Sequence, residues 1–419
     1  MAAKNALYAQ SGGVTAVINA SACGVLERAR THPEKIGKVF AAKDGIFGIL
    51  REEFYDTSCE RPQQIAALRH TPGGAFGSSR YMLPRPEKDP VVWQRLGEVF
   101  RAHDIGYVFI NGGNGSMDTC QLLTRLEEVA GWPVVSIGVP KTIDNDLACT
   151  DCSPGFGSAA KYLATSIREV GLDVKAMEES TKVFILEVMG RHAGWLTLAC
   201  GLAAEEPGDG PHILLVPEVA FDETRFLDKV RETVATVGHC IIAVSEGIKN
   251  ADGTFYAEQQ KSETYGFEQL GGAGPRIAEL IRTQLKMKCH CAVADYLQRA
   301  ARHLASRTDV EQAYAVGRAA VGMALGGLTG VMPGIVRISD DPYVWRVDPI
   351  PLAGVADLEK LPPREFVSAD GFGITDAART YLLPLISGED YPPFHNGLPA
   401  FARLNYVMVE KKLPPFQVS

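Results

Sequence analysis

Glycine-rich turns interrupt the first 150 residues three times, at 10–13, 71–80 and 112–118. The first and third follow short apolar runs, residues 6–9 and 106–111, and precede helix-like stretches. Strands that alternate with helices in this way predict an α/β fold with parallel sheets. Glycine at such a turn lets an anion approach the backbone N–H groups of a helix N-terminus. Together the three turns predict one site for a ligand with several phosphates.

Each turn taken alone has a simpler interpretation. A single Gly-Gly pair also fits an ordinary tight turn between a strand and a helix, and glycine-rich loops are often only flexible connectors. Neither the G-x-G-x-x-G pattern nor the P-loop spacing is present. The prediction of a phosphate site therefore depends on the turns occurring together.

A further turn, residues 140–146, carries the strongest chemical signal. It reads Pro-Lys-Thr-Ile-Asp-Asn-Asp and follows the β-branched run 134–139, a predicted buried strand. Ligands bind at the carboxyl ends of strands in open α/β sheets. Asp144 can abstract a proton, Asp146 can form a hydrogen bond or hold a metal, and Lys141 can attract an anion. A polar turn without function is the alternative, because Asp and Asn are ordinary turn residues.

Other candidate ligand contacts also lie at predicted turns. Arg80 ends the second glycine-rich loop, and its planar fork suits the oxygens of a transferring phosphoryl group. Gly190 and Arg191 follow a predicted strand at 182–188, so that backbone and guanidinium can approach a phosphate. Glu246 follows another predicted strand and can hold sugar hydroxyls, although a solvated surface acid is the alternative.

The bulk properties exclude several classes of function. At 419 residues the chain is too long for one ordinary core, so two domains are expected. Its 46% hydrophobic and 22% charged residues are typical of a soluble globular protein. A net charge of -8 gives no support for a nucleic-acid or anionic-membrane partner. No apolar run is long enough to span a bilayer, and the N-terminal residues lack a signal-peptide core, so we expect a cytoplasmic protein.

Nine cysteines are scattered along the chain, and an odd number favours reduced thiols over a disulfide framework. Cys149 and Cys152 form one C-x-x-C pair, and Cys289 and Cys291 flank His290. Together they suggest a zinc site as an alternative hypothesis. The spacing does not match a recognised structural zinc motif.

The motifs together resemble those of the 6-phosphofructokinase family. Their order and approximate spacing agree from residue 6 to about residue 335, and the turn at 140–146 combined with Glu-Val-Met-Gly-Arg at 187–191 is highly specific. The resemblance implies two Rossmann-like, three-layer α/β domains with the active site between them. It also implies an enzyme that phosphorylates the 1-hydroxyl of fructose 6-phosphate with Mg²⁺.

The resemblance also implies a division of the chain. We expect a phosphoryl-donor domain formed by residues 1–155 and about 300–335. The fructose 6-phosphate domain is then formed by residues 156–299 and about 336–419. The stretch from Asp340 onward has no clear counterpart in the short bacterial enzymes, so we expect an extension packed on the second domain.

Residue by residue, the resemblance makes Asp144 the base that takes the proton of the 1-hydroxyl, with Lys141 and Arg80 as catalytic charges. The implied contacts to fructose 6-phosphate are Thr142, Asp146, Met189, Gly190, Arg191, Glu246, Tyr296, Arg299 and Lys182. The implied contacts to the phosphoryl donor are Gly13, Gly113 and Gly115. The implied metal ligands are Asn114, Asp144 and Asp146.

Two positions bear on assembly and on the metal. Lys182 occupies the place of an arginine that reaches the sugar phosphate of a neighbouring subunit in the family, so we expect a homodimer or homotetramer, with His290 as a further contact. Asn114 replaces a frequent metal-binding aspartate. This departure motivates a competing hypothesis, a non-catalytic regulatory subunit that binds sugar phosphates. The presence of both Asp144 and Asp146 argues against it.

The phosphoryl donor is predicted from two other positions. ATP-using members commonly have glycine at both position 115 and position 141, whereas pyrophosphate-using members commonly have aspartate and lysine. Gly115 and Lys141 therefore give mixed signals. A lysine places positive charge beside the donor, which suits compact and highly charged pyrophosphate. We predict pyrophosphate as the donor, with ATP as the alternative.

Overall fold

The computed structural model describes residues 3–257, 271–356 and 358–418. The strands are, in chain order, β1 (Lys4–Ser11), β2 (Ile36–Ala42), β3 (Phe54–Asp56), β4 (Ser78–Ser79), β5 (Ile105–Gly112), β6 (Val135–Pro140), β7 (Val183–Val188), β8 (Ile213–Leu215), β9 (Cys240–Ser245), β10 (Cys289–Val293), β11 (Val331–Asp340), β12 (Tyr343–Pro351), β13 (Phe394–His395) and β14 (Leu398–Pro399).

The helices alternate with these strands. They are α1 (Ile18–Arg30), α2 (Ile46–Arg51), α3 (Pro62–Ala67), α4 (Pro90–Ala102), α5 (Asn114–Leu123), α6 (Leu126–Ala130), α7 (Phe156–Ala176), α8 (Trp195–Cys200), α9 (Glu223–Val237), α10 (Ala273–Gln284), α11 (Leu297–Ala300), α12 (Arg307–Leu325) and α13 (Asp376–Leu382). Within the described ranges, none of them has the length and apolar character needed to cross a membrane.

The chain divides into two compact units. The first contains Met1–Ser158, Arg302–Glu359 and Gly388–Ser419, and the second contains Ala159–Ala301 and Lys360–Ser387. Most of the C-terminal extension therefore belongs to the first unit, which corrects the expectation that residues 336–419 belong to the second. The reason is that β11 and β12 form an antiparallel hairpin that extends the first sheet.

The first unit is built on a sheet with the strand order β12-β11-β6-β5-β1-β2-β3, with β4 paired to β1. Strands β2, β1, β5 and β6 are parallel to one another, as the apolar runs predicted. A core of buried apolar side chains joins the sheet to α4 and α5 and includes Leu7, Trp93, Val108 and Met117. Helices α1 and α12 pack against each other in a second cluster, which contains Val17 and Ala313.

The second unit is built on the parallel sheet β10-β7-β9-β8. Its core contains Ile185 of β7 and Ile242 of β9, together with Phe226 of α9 and Ile277 of α10. Both units thus have the α/β architecture that the alternating pattern predicts. In each, the carboxyl ends of parallel strands bring several turns to one edge of a sheet.

One boundary differs from the prediction in a way that matters for the site. The helix-like stretch predicted after the third glycine-rich turn forms two helices, and the first begins at Asn114, inside that turn. The backbone N–H groups of Ser116 and Met117 both donate to Gly113 O, so the glycine-rich turn continues directly into α5. Asn, Gly and Ser are typical turn residues, which is why local propensity places the helix start too late.

Candidate active site

The turns predicted to bind the donor lie side by side in the first unit. β1 pairs with β5 through Gln10 and Asn111, and β5 pairs with β6 through Gly112 and Pro140. β4 pairs with β1 through Ser11 and Ser79, so Arg80 follows directly beside the first glycine turn. The parallel pairing therefore brings together the turns that contain Gly13, Arg80, Gly113 and Lys141.

Lys141 lies at the centre of these turns. Its side chain is nearly inaccessible, with the residue only 3% exposed, and Nζ donates a hydrogen bond to Gly13 O. Its backbone N–H donates to Gly112 O at 3.0 Å. Gly12 has φ +77°, and a Cβ there would lie 3.5 Å from Lys141 Nζ. The missing side chain at Gly12 therefore leaves space beside the buried ammonium group.

The N-terminus of α5 contributes Gly113, Asn114 and Gly115. Gly113 precedes the helix, and its backbone lies close enough to Lys141 that a Cβ would be 3.5 Å from Lys141 O. Asn114 Nδ2 donates to Leu358 O at 2.7 Å. A Cβ on Gly115 would lie 3.4 Å from the sulfur of Met82, whose side chain is mostly exposed.

The loop after β6 is fixed by local hydrogen bonds. Asp144 N donates to Thr142 Oγ1 at 3.1 Å, and Thr142 N donates to Pro154 O at 3.1 Å. Asn145 is fully buried with φ +53°, a conformation that asparagine tolerates, and its Oδ1 accepts from Ser153 N at 3.0 Å. The loop is therefore anchored at both ends while Asp144 remains partly exposed.

Asp146 has the chemical character of a cation ligand. Its Oδ1 is buried and has no hydrogen-bond partner among the described residues. A buried carboxylate oxygen without a donor is unfavourable unless a cation or ligand completes it, and hard divalent cations prefer oxygen ligands. The residues present thus fit a divalent metal at this loop.

The zinc hypothesis receives no support. No group of three or more His, Cys, Asp and Glu side chains within the described ranges could hold a metal ion. Cys149 Sγ bonds to Gly354 O, and Cys152 Sγ bonds to Gln312 Oε1.

Arg337 and Asp151 form an ion pair close in sequence to the loop 140–146, and sequence reasoning missed it. Arg337 Nε lies 3.0 Å from each oxygen of the Asp151 carboxylate, and both side chains are 13% exposed. Asp151 N also donates to Ile335 O at 2.8 Å. The hairpin β11–β12 therefore holds the segment that follows residues 140–146. Both residues lie far apart in sequence, so no local pattern connects them.

In the second unit, the turns after β7 and β9 are joined. Glu246 N donates to Val188 O at 2.9 Å, and Ser245 Oγ donates to Gly190 O at 2.6 Å. Gly190 has φ +130°, and a Cβ there would lie 2.7 Å from Ala193 O. Only glycine fits this position, so the predicted turn with Met189, Gly190 and Arg191 is brought beside Glu246.

Burial raises the pKa of the Glu246 carboxyl group above its ordinary value. The positive charge of Arg191 and the backbone N–H of Gly190 act in the opposite direction, whereas Glu187 and Asp295 add to the increase. Glu246 is therefore a partly buried carboxylate with one cationic neighbour, as suits a group that accepts hydrogen bonds from a polar ligand.

Tyr296 and Arg299 lie at α11, on the same edge of the second sheet. The Arg299 guanidinium lies 3.7 Å from the centre of the Tyr296 ring. Gln298 between them is 1% exposed, and its Oε1 accepts from Met189 N at 3.1 Å. Gln298 thus links α11 to the turn after β7. Sequence reasoning missed Gln298, and its position between two candidate contacts was the one signal available.

Two further carboxylates near these turns, the buried Glu187 and the partly buried Glu218, were also missed. Glu187 accepts hydrogen bonds from Gly272 N at 3.0 Å and Gly274 N at 2.7 Å, at the start of α10. Glu218 accepts from Gly194 N at 2.7 Å, and burial raises its pKa. Glu218 therefore holds the end of the turn that carries Arg191, and Glu187 joins β7 to the start of α10.

Lys182 lies at the opposite edge of the same sheet. Its backbone N–H donates to Lys288 O at 3.2 Å, and its carbonyl accepts from Cys240 N at 2.8 Å, both at the amino ends of strands. The six residues of β7 separate it from Met189 by about 20 Å at the usual rise of a strand. His290 pairs with Phe184 and lies near this edge as well. The structure therefore does not bring Lys182 together with the other predicted sugar-phosphate contacts of its own unit.

Comparison with known proteins decides the family. The model of the family described as phosphofructokinase matches residues 5–324. This chain belongs to the phosphofructokinase family. The resemblance drawn from the motifs is thereby confirmed, and so is the α/β fold class.

Two relatives and one solved structure match nearly the whole chain. The pyrophosphate–fructose 6-phosphate 1-phosphotransferase of Methylococcus capsulatus is 58% identical over 414 residues, which cover 99% of each chain. The protein of the same name from Halomonas elongata is 57% identical over 419 residues, with both chains fully covered. The crystal structure of a pyrophosphate-dependent phosphofructokinase from Nitrosospira multiformis has a TM-score of 0.92 at 52% identity, covering 99% of this chain and 100% of that chain.

Proposed function

We propose that this chain transfers a phosphoryl group from pyrophosphate to the 1-hydroxyl of fructose 6-phosphate, giving fructose 1,6-bisphosphate, reversibly, in glycolysis and gluconeogenesis. The observation that most directly supports this proposal is the buried ammonium group of Lys141, which lies among the turns at the edge of the first sheet. The two relatives described above, which are 58% and 57% identical to this chain, are named for the same donor and acceptor, and this supports the proposal.

The proposed chemistry follows from the residues of the first unit. Asp144 accepts the proton of the 1-hydroxyl, and the resulting oxygen attacks one phosphorus of pyrophosphate. The bond from that phosphorus to the bridging oxygen breaks, and phosphate leaves with the electron pair. Lys141 and Arg80 stabilise the negative charge on the phosphoryl oxygens and on the leaving phosphate. Gly13, Gly113 and Gly115 leave the backbone accessible to the donor.

We further propose Mg²⁺ as the metal, held by Asp146 and Asp144 with Asn114 nearby. The buried, unpartnered oxygen of Asp146 supports this assignment. Mg²⁺ usually binds through one or two carboxylates and the phosphates of the substrate, so a larger protein cluster is not required. When bound, it neutralises charge on the donor phosphates.

The sugar phosphate is assigned to Thr142 and Asp146 of the catalytic loop and to the turns of the second unit. Arg191 offers a guanidinium fork to the 6-phosphate, and Glu246 accepts hydrogen bonds from hydroxyl groups. Met189, Gly190, Tyr296 and Arg299 complete the proposed contacts. Because Lys182 lies at the far edge of the sheet, its proposed contact is with the sugar phosphate of another copy, which calls for a homodimer or homotetramer.

A side-by-side assay tests the donor. The purified protein is incubated with fructose 6-phosphate, Mg²⁺ and either pyrophosphate or ATP, and fructose 1,6-bisphosphate is measured. The reverse reaction is run with fructose 1,6-bisphosphate and phosphate. Faster turnover with ATP, together with failure of phosphate to drive the reverse reaction, would overturn the proposed donor. Binding of fructose 6-phosphate without turnover by either donor would instead favour a regulatory subunit.

A further inference from the structure

The C-terminal segment, defined here as residues 400–413, lies beyond the part of the chain that the family model matches. It runs along β3 as an additional extended stretch. Val409 N donates to Phe54 O at 2.8 Å, and Asp56 N donates to Val407 O at 2.8 Å. An antiparallel bridge pairs Tyr55 with Met408. The segment is therefore part of the first unit's hydrogen-bonded structure.

Two buried glutamates anchor this segment at either end of β3. Glu60 is 5% exposed and accepts hydrogen bonds from Asn405 N at 2.8 Å and Tyr406 N at 2.9 Å. Glu52 is 1% exposed and accepts from the backbone N–H groups of Lys412 and Leu413. A buried carboxylate satisfied by backbone N–H groups defines the position of the donors closely. The segment is thus held in one conformation.

At the Glu60 anchor and just before it in the chain, the segment contacts the glycine-rich loop 71–80. The hydroxyl of Tyr406 donates to Ala75 O at 2.9 Å, and Ala402 N donates to Thr71 Oγ1 at 2.9 Å. The Tyr406 ring also packs against that of Tyr55, with ring centres 5.0 Å apart. The C-terminal segment therefore contacts the loop both at its start and near its middle.

The loop is also held near its middle by Ala75 N, which donates to Asn19 Oδ1 at 3.0 Å, and by Phe76 N, which donates to Gln10 Oε1 at 3.2 Å, but its glycines leave it conformational freedom. Gly73 and Gly77 both have positive φ angles, of +73° and +77°. A Cβ on Gly73 would have no neighbour within 4 Å, so packing does little to restrain the chain there. Loops of this kind lose conformational entropy when they become ordered on a ligand. Contacts that order the loop beforehand reduce this loss and favour binding of the group that the loop recognises.

We propose that the C-terminal segment positions the glycine-rich loop for the phosphoryl donor, and that Tyr406 is the positioning residue that fixes the loop ahead of Arg80. This inference rests on the proposed function, because Arg80 is assigned to the donor there. It predicts that changes in the segment alter donor binding and leave fructose 6-phosphate binding unchanged.

The test is the Tyr406→Phe variant, which removes the hydroxyl and keeps the ring that packs on Tyr55. We expect KM for pyrophosphate to rise about fivefold, the equivalent of one neutral hydrogen bond, with KM for fructose 6-phosphate within about twofold of wild type. Hydrogen exchange measured by mass spectrometry should become faster across residues 71–80. Glu60→Gln should produce the same pattern. Tyr391→Phe is the matched control, because Tyr391 is an exposed tyrosine of the same C-terminal region.

The outcomes separate this inference from the proposed function. Absence of pyrophosphate turnover in the wild type would contradict the proposed donor, and the KM comparison would then be made with ATP. Unchanged donor KM and unchanged exchange of residues 71–80 in both Tyr406→Phe and Glu60→Gln would overturn the inference. An equal rise in KM for donor and sugar would also overturn it, because a general loss of structure predicts that result.

Discussion

Replacing Lys141 with methionine should separate donor chemistry from sugar binding. Methionine retains the unbranched shape of the side chain and removes the charge. We expect Lys141→Met to lower kcat/KM for pyrophosphate by about 30-fold to 1,000-fold, with KM for fructose 6-phosphate within about twofold of wild type.

The magnitude follows from the burial of the ammonium group. Lys141 is 3% exposed, and the absent side chain at Gly12 leaves space within reach of Nζ. A unit charge about 4 Å from a phosphate oxygen contributes about 4 kcal/mol at an effective dielectric constant of about 20. Part of this favourable free energy is offset, because the ammonium group already donates a hydrogen bond to Gly13 O. A net loss of about 2–4 kcal/mol corresponds to the stated range, since 1.36 kcal/mol is about tenfold in rate.

The assay measures initial rates with each substrate varied at saturation of the other. Lys182→Met is the matched control, because it makes the same substitution in the second unit, at the amino edge of its sheet. This variant should change KM for fructose 6-phosphate rather than KM for pyrophosphate. If Lys141→Met retains more than about half of the wild-type kcat/KM for pyrophosphate, the charge argument is refuted. A comparable loss of fructose 6-phosphate affinity would show that Lys141 acts through the structure of the loop.

Further outcomes are expected at three positions. Asp144→Asn should lower kcat by about 10²–10⁴-fold, with fructose 6-phosphate binding preserved in calorimetry, and near-wild-type kcat would remove Asp144 from the role of base. Burial raises the pKa of Glu246, so its carboxylate is protonated at a higher pH than that of an exposed glutamate. We therefore expect KM for fructose 6-phosphate to rise as the pH falls toward the raised pKa. Glu246→Gln should flatten this dependence relative to wild type, and it should also raise Tm at neutral pH, because ionised Glu246 destabilises the folded state above the raised pKa. Arg337→Met should lower Tm in calorimetry, because the Asp151 carboxylate loses its cationic partner and keeps the Tyr343 hydroxyl at 3.3 Å as a donor. We expect a loss of about 1–3 kcal/mol, and an unchanged Tm would contradict the role given to this ion pair.

Sequence reasoning located the buried parallel strands β1, β5, β6, β7 and β9 and the turns that follow them, because such strands are continuous apolar runs and glycine marks their ends. The turn at 140–146 does follow a strand of the first sheet, β6. The start of α5 at Asn114 was not predicted, because a helix start rich in Asn, Gly and Ser depends on the adjacent sheet for its stability.

The packing of the C-terminal region was beyond sequence reasoning for a different reason. Glu60 and Asn405 are separated by 345 positions, and neither has a local pattern that indicates the other. The same holds for Asp151 and Arg337, which are separated by 186 positions. Gln298 was accessible in principle, since it lies between two candidate contacts, but burial of a glutamine cannot be read from periodicity in a helix as short as α11.

The hairpin β11–β12 also determines how this chain can be cut or fused in protein engineering. β11 covers the side of β6 that does not pair with β5, although the family match ends at residue 324, before β11 begins. Truncation at that residue would turn β6 into an edge strand with unpaired backbone groups, a surface prone to intermolecular pairing. The strand exposed would be the one that leads into Asp144. An expression boundary taken from family similarity alone would therefore place the loop 140–146 directly after an unpaired edge strand.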